Sequence, residues 1–143
     1  MRHRSAATAL ALALFAIPAT QVSSMELGEF EYLNSCAQCH GVSGMGDGPV
    51  AQHLTQSPAD LTVLTTDNGG VFPVKRMYDV IEGTADIGVH GREMPLWGNR
   101  YRERAALVED LEADFPFDPA VHTEDYVRAR ILSVIEYLST LQK

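Results

Sequence analysis

Two cysteines and a histidine stand together as Cys36-Ala37-Gln38-Cys39-His40, and the chain has no other cysteine. C-x-x-C-H is the spacing that attaches a c-type haem. Two thiols add across the two vinyl groups of one porphyrin edge and become thioethers. Two residues between them let one helical turn present both sulfurs to that edge. His40 then lies where its imidazole can bind the iron as proximal ligand. The same residues admit two other readings, a redox dithiol and a zinc site. A thioredoxin-like dithiol belongs in a strand–helix context, whereas the flanks here are Gly-rich loop. Zinc needs a fourth ligand and usually a second paired motif, which a chain with two cysteines lacks.

The elements around the motif must hold it in place. Residues 25–35 read as a helix leading into it, with Gly28, Tyr32 and Cys36 at steps of four on one face. A glycine inside a helix costs up to about 1 kcal/mol, and close approach of another helix is the usual reason for one. Residues 41–49 hold Gly41, Gly44, Gly46 and Gly48 before Pro49, the composition of a tight loop with positive φ angles. The Gly-Lys-Ser/Thr ending and preceding strand of a phosphate-binding loop are missing. A loop this tight can fold a carbonyl back onto the second imidazole nitrogen of His40, and Pro49 is the expected acceptor. Ser57-Pro58-Ala59-Asp60 reads as a helix start, with Leu61 and Leu64 sharing an apolar face. Asp67-Asn68-Gly69-Gly70 reads as a turn, and Pro73 opens a helix that runs to Glu82 with Gly83 as its C-cap.

Residues 83–98 have neither helical nor strand period and read as a long ordered loop carrying Met94 and Trp97. The sole tryptophan should pack on a large flat surface. A helix is expected over residues 100–114. Its basic start, with Arg100, Arg102 and Arg104, runs against the macrodipole. These arginines could meet haem propionates or a partner, or form a solvated face with Glu103 and Glu109. Thr123 is the expected cap of the last helix, whose stripe is Val127, Ile131, Val134, Ile135, Leu138 and Leu141. No strand alternates convincingly, so the chain after residue 24 reads as all-α.

Residues 1–24 read as a secretory signal peptide: Arg2-His3-Arg4, an apolar run over 6–17, then small polar residues. The run is short of the roughly 20 residues that span a bilayer. Cleavage at Met25 or after Ala19 would release a periplasmic domain, residues 25–143, and an uncleaved leader would leave it membrane-associated. Loss of residues 1–24 removes Arg2 and Arg4 and no acid, leaving nine basic against nineteen acidic residues, a net charge of −10. Such a protein is not expected to bind nucleic acid or to enter a membrane once its leader is cut, and it suits partners with basic faces.

Gly28, Tyr32, Cys36, Cys39, His40, Pro49, Met94-Pro95 and the Val134/Tyr137 face of the last helix resemble the class I c-type cytochromes. Gly46-Asp47-Gly48-Pro49, Pro58-Ala59-Asp60-Leu61 and Arg92-Glu93-Met94-Pro95-Leu96-Trp97-Gly98 are similar to segments of small monohaem bacterial periplasmic members. The resemblance covers residues 26–98 and 124–141. It implies a helical fold wrapped around one covalent haem c, with the N- and C-terminal helices crossing at Gly28/Tyr32 and Val134/Tyr137. Cys36 and Cys39 would carry the thioethers, and His40 and Met94 would bind the iron. Pro49 would supply the carbonyl to His40, and Leu61 and Trp97 would wall the pocket. Residues 99–123 depart from the smallest members as an insert before the last helix.

Among the methionines, Met45 is too near His40 to reach the opposite ring face, and Met77 falls in phase with a helical apolar stripe. Met94 lies 54 residues after His40, on a loop held by Gly91, Pro95 and Gly98. His90, on the same loop, is its rival as distal ligand and would give a lower potential. His53 reads as a surface residue and His122 as structural. The expected function is one-electron transfer by a monomeric, six-coordinate, non-enzymatic carrier between redox proteins. The alternatives are an electron-transfer subunit of a dehydrogenase complex, and a haem enzyme or gas sensor with a displaceable distal ligand.

Overall fold

The Ser23 hydroxyl accepts from the Glu26 N–H at 3.2 Å, and the Glu26 carboxylate accepts from the Ser23 N–H at 2.9 Å. This capping box satisfies donors that a helix start leaves over, and α1 (Ser24–Ser35) follows. The computed structural model describes residues 23–85, 94–111 and 119–143. The expected leader therefore lies outside the described residues, save for Ser23 and Ser24. Of the two expected cleavage positions, only that after Ala19 would keep the cap.

The chain continues through α2 (Ala37–His40), a 3₁₀ turn (Ala51–His53), α3 (Leu64–Asp67), α4 (Val74–Glu82), α5 (Trp97–Leu111) and α6 (Pro119–Thr140). Among the described residues every regular element is a helix, in line with the all-α reading. α4 starts after Pro73 and ends at Gly83 in the left-handed region, φ 93°, at the positions the sequence marks.

α1 and α6 cross, and the core forms where they meet. A Cβ on Gly28 would lie 2.0 Å from the Ser133 carbonyl oxygen, so only glycine permits this approach. Tyr32 packs on Tyr137 with ring centroids 5.3 Å apart. From α6, Val127, Ile131, Val134, Ile135 and Leu138 are buried, at the three- and four-residue steps of one helical face. Each fully buried aliphatic contributes roughly 1.5–3 kcal/mol.

The structure departs from the sequence reading at three helix starts. Residues 57–60 are not helical, and the first helical residue there is Leu64. Asp60 Oδ1 accepts from the Thr62 N–H at 2.8 Å and its hydroxyl at 2.6 Å, a local turn that competes with helical pairing. α5 begins at Trp97 instead of Arg100. α6 begins at Pro119, four residues before Thr123, because proline suits a first helical position.

Two of the three α5 arginines, Arg102 and Arg104, find carboxylates on other helices, which offsets their unfavourable place near its N-terminus. Arg102 bonds Glu82 at 2.9 Å and Glu124 at 2.7 Å, and Arg104 lies 3.6 Å from Glu31. Arg100 stacks over the Trp97 ring, 5.3 Å from its centroid. Tyr101 and Ala105 are buried, and α5 packs on α4 and α6. Tyr101 and Ala105 of the 99–123 segment thus join the core. Among the described residues no helix is long and apolar enough to cross a membrane.

Candidate cofactor site

Cys36 closes α1 and opens α2. The N–H groups of Cys39 and His40 both donate to its carbonyl, at 3.1 and 2.9 Å. One turn therefore holds both thiols and the imidazole. The loop that follows runs back along α2: the N–H groups of Gly46, Gly48 and Val50 donate to the carbonyls of His40, Cys39 and Gln38 at 2.8, 3.0 and 2.9 Å. These are carbonyls that a helix end leaves unpaired. A Cβ on Gly48 would sit 2.4 Å from the Gln38 carbonyl oxygen, so this path requires glycine. The Tyr32 hydroxyl donates to the Gly41 carbonyl at 2.6 Å and ties α1 to the exit of the motif. Burial, reinforced by Cys36, Tyr137 and Asp47, holds that phenol well above its ordinary value, so it remains a donor.

This path corrects the expectation for Pro49. Its neighbours Gly48 and Val50 bond to Cys39 and Gln38, and its own carbonyl accepts from Gln52 Nε2 at 3.4 Å. The carbonyl at His40 Nδ1 is that of Ala59, 3.0 Å away. A carbonyl only accepts, so Nδ1 carries the proton, which in the neutral ring puts the lone pair on Nε2. Ala59 is placed in turn by its successors. Leu61 donates its N–H to Gly44 at 2.7 Å, and Gln142 joins the Leu61 carbonyl at 2.8 Å to the Thr65 N–H at 2.9 Å.

Two adjoining hollows share Cys36, His40 and Met94. The inner one has Leu61, Met77, Ile81 and Val134 in its walls. The outer one has Cys39, Leu54, Pro95 and Trp97 in its walls. The fold thus gathers Cys36, Cys39, His40, Leu61, Met94 and Trp97 around one space and leaves Pro49 out. Met25 and Met45 are exposed, as are His53 and His122. His90 lies outside the described residues.

Sequence reasoning missed Ala59, whose part is played by a backbone atom that no side-chain pattern marks. It placed Met77 in the core without showing that this part of the core is the cleft wall. It also missed Glu31, which is fully buried and accepts from Arg130 Nη1. The signal was present, since Gly28, Glu31 and Tyr32 share one helical face. The Cys36 thiol is pushed up to about 12, first by burial, then by Glu31 and Cys39. Among the described residues no group of three or more His, Cys, Asp or Glu is placed to hold a metal ion by itself. Comparison with known proteins matched no family model, no curated protein and no solved structure.

Proposed function

We propose that the chain is a one-electron carrier of cytochrome c type, with haem c held in the cleft by Cys36 and Cys39 and ligated by His40 and Met94. The observation that carries this reading is the convergence of Cys36, His40 and Met94 on both hollows of one mainly apolar cleft. When bound, the haem supplies a one-electron couple. The residues present fit it: two thiols on one turn, an imidazole with its lone pair on Nε2, a thioether, and aliphatic walls. The Ala59 carbonyl fixes the His40 tautomer and raises the basicity of the ring. Leu61, Ile81 and Val134 give the inner hollow an apolar wall, and a low-polarity surround strengthens electrostatic contacts inside.

With His40 and Met94 both holding the iron, no position on it would be left for a substrate, so the role we propose is carriage and not catalysis. A dithiol role is disfavoured because reactive cysteine pairs have a lowered thiol pKa, whereas that of Cys36 is pushed up to about 12. On this reading the leader exports the chain to the periplasm, and its redox partners present basic faces.

The test is a pyridine haemochrome spectrum and a haem stain after denaturing electrophoresis, on protein made with a haem-maturation system. Haem should migrate with the polypeptide and survive acid–acetone extraction. Haem lost to the extract overturns thioether attachment, and a colourless protein overturns the whole reading. Cyanide and carbon monoxide should leave the spectrum unchanged at neutral pH, whereas rapid binding would favour a sensor.

A further inference from the structure

We infer that Arg102 is a positioning residue for Met94, acting through its ion pair with Glu82; this rests on the haem reading above. Met94 lies three residues before the start of α5, so its placement follows that of the first turn of α5. That turn is pressed directly on the end of α4. A Cβ on Gly98 would be 2.5 Å from the Glu82 carbonyl oxygen, and one on Gly83 would be 2.7 Å from Leu96 Cδ2. Such contacts set the distance between the two helix ends but resist sliding poorly, and Leu96 is itself exposed.

Arg102 supplies the missing restraint. Its Nη2 donates to Glu82 Oε1 at 2.9 Å, while Nε and Nη2 hold both Glu124 oxygens, at 2.7 and 2.9 Å. A planar guanidinium gripping carboxylates on two sides fixes direction as well as distance. The two grips differ in shelter: the Glu82 side chain is 19% exposed and that of Glu124 is 54% exposed. The Glu82 grip is less screened, and it joins α5 to the helix end against which Leu96 and Gly98 rest. Holding Leu96–Gly98 there keeps Met94 at the cleft.

The test titrates imidazole into the ferric holoprotein and reads the far-red sulfur-to-iron band. Urea midpoints are measured in parallel on parent, Arg102→Gln, Arg102→Lys, Glu82→Gln, Glu124→Gln and Ile131→Val. Ile131 is buried and lines neither hollow, so its variant reports general destabilisation. A less well-held Met94 yields its site more readily, which raises the apparent affinity of a competing ligand. Arg102→Gln and Glu82→Gln should each bind imidazole about tenfold more tightly than the parent and show a weaker band. Glu124→Gln should change affinity less than about threefold, and Arg102→Lys should recover part of the loss. Should Arg102→Gln fail to fold, Glu82→Gln carries the same expectation. Imidazole affinity within about threefold of the parent in Glu82→Gln overturns the proposal. So does an equal rise in Ile131→Val at a matched urea midpoint. Either result leaves the haem reading standing, whereas a parent without covalent haem removes both.

Discussion

The bond from His40 Nδ1 to the Ala59 carbonyl makes Nε2 the ring nitrogen that would meet the proposed haem, and a thioether would meet its other face. Two thioethers line the inner hollow, Met94 and Met77. Met77 is buried and sits within α4, whose backbone fixes it in the wall. Met94 precedes α5 and lines both hollows, so it is the one placed beside the whole cleft. A neutral thioether stabilises ferrous iron and raises the potential. Met94→Ala should therefore abolish the far-red band and admit imidazole or cyanide. The potential should fall by on the order of 0.1 V or more, within the ~0.8 V that axial ligands span. Met77→Leu should leave band and ligand resistance intact; the opposite pattern would assign the ligand to Met77. At this scale the sequence shows what side chains do by type and spacing. It marks Cys36, Cys39 and His40 because the thioether attachment proposed here would dictate their intervals. It does not mark Ala59, because a carbonyl is common to every residue and its placement depends on the turn at Asp60 and the tie from Gln142.

Helix–helix contacts are legible where a rare residue type is forced and illegible where charge pairs cross between elements. Gly28 announces the α1–α6 crossing, and Pro73 and Gly83 bracket α4, because each backbone demand excludes most other residues. The arginines of α5 suggest pairs within their own helix, yet the fold gives them Glu82, Glu124 and Glu31 on three others. Glu31 is the most costly member of this set. It is fully buried, with Arg130 bonded to Oε1 and no hydrogen-bond partner for Oε2 among the described residues. Arg130 also lies over the Tyr126 ring, 4.8 Å from its centroid, which keeps the guanidinium aimed inward. Removing one partner of a buried pair leaves an uncompensated charge, at a cost of about 3–5 kcal/mol, whereas replacing both with apolar groups is often neutral. Arg130→Met, which leaves Glu31 with Arg104 at 3.6 Å as its remaining cation, should thus lower stability by at most that amount in urea unfolding, and Glu31→Met with Arg130→Met should restore most of it. If the double variant is no more stable than the single, the pair holds α1 to α6 by more than charge compensation.

At the scale of the whole molecule, the proposed carrier role would have acidic surface and apolar cleft divide the work of meeting a partner. Residues 25–143 carry nine basic and nineteen acidic side chains, and five of the basic ones, Lys75, Arg102, Arg104, Arg130 and Lys143, are engaged by carboxylates among the described residues. The field that reaches a partner at long range is therefore negative and speeds encounter with a basic face. Near the outer hollow the local pattern differs, because Arg100 is exposed and stacks on Trp97, which lines that hollow. The two features predict opposite responses to salt. Screening shortens the reach of charge from about 30 Å at 0.01 M to about 10 Å at 0.1 M. If net charge steers docking, the second-order rate of electron transfer to a basic redox protein should fall by about tenfold or more over that interval. The rate to an acidic one should rise. Stopped-flow mixing of reduced protein with each acceptor reads both. Reversal of the pattern, abolished by Arg100→Ala, would mean that the local cation beside Trp97 governs docking. Rates flat with both acceptors would confine the acidic surface to keeping the protein in solution.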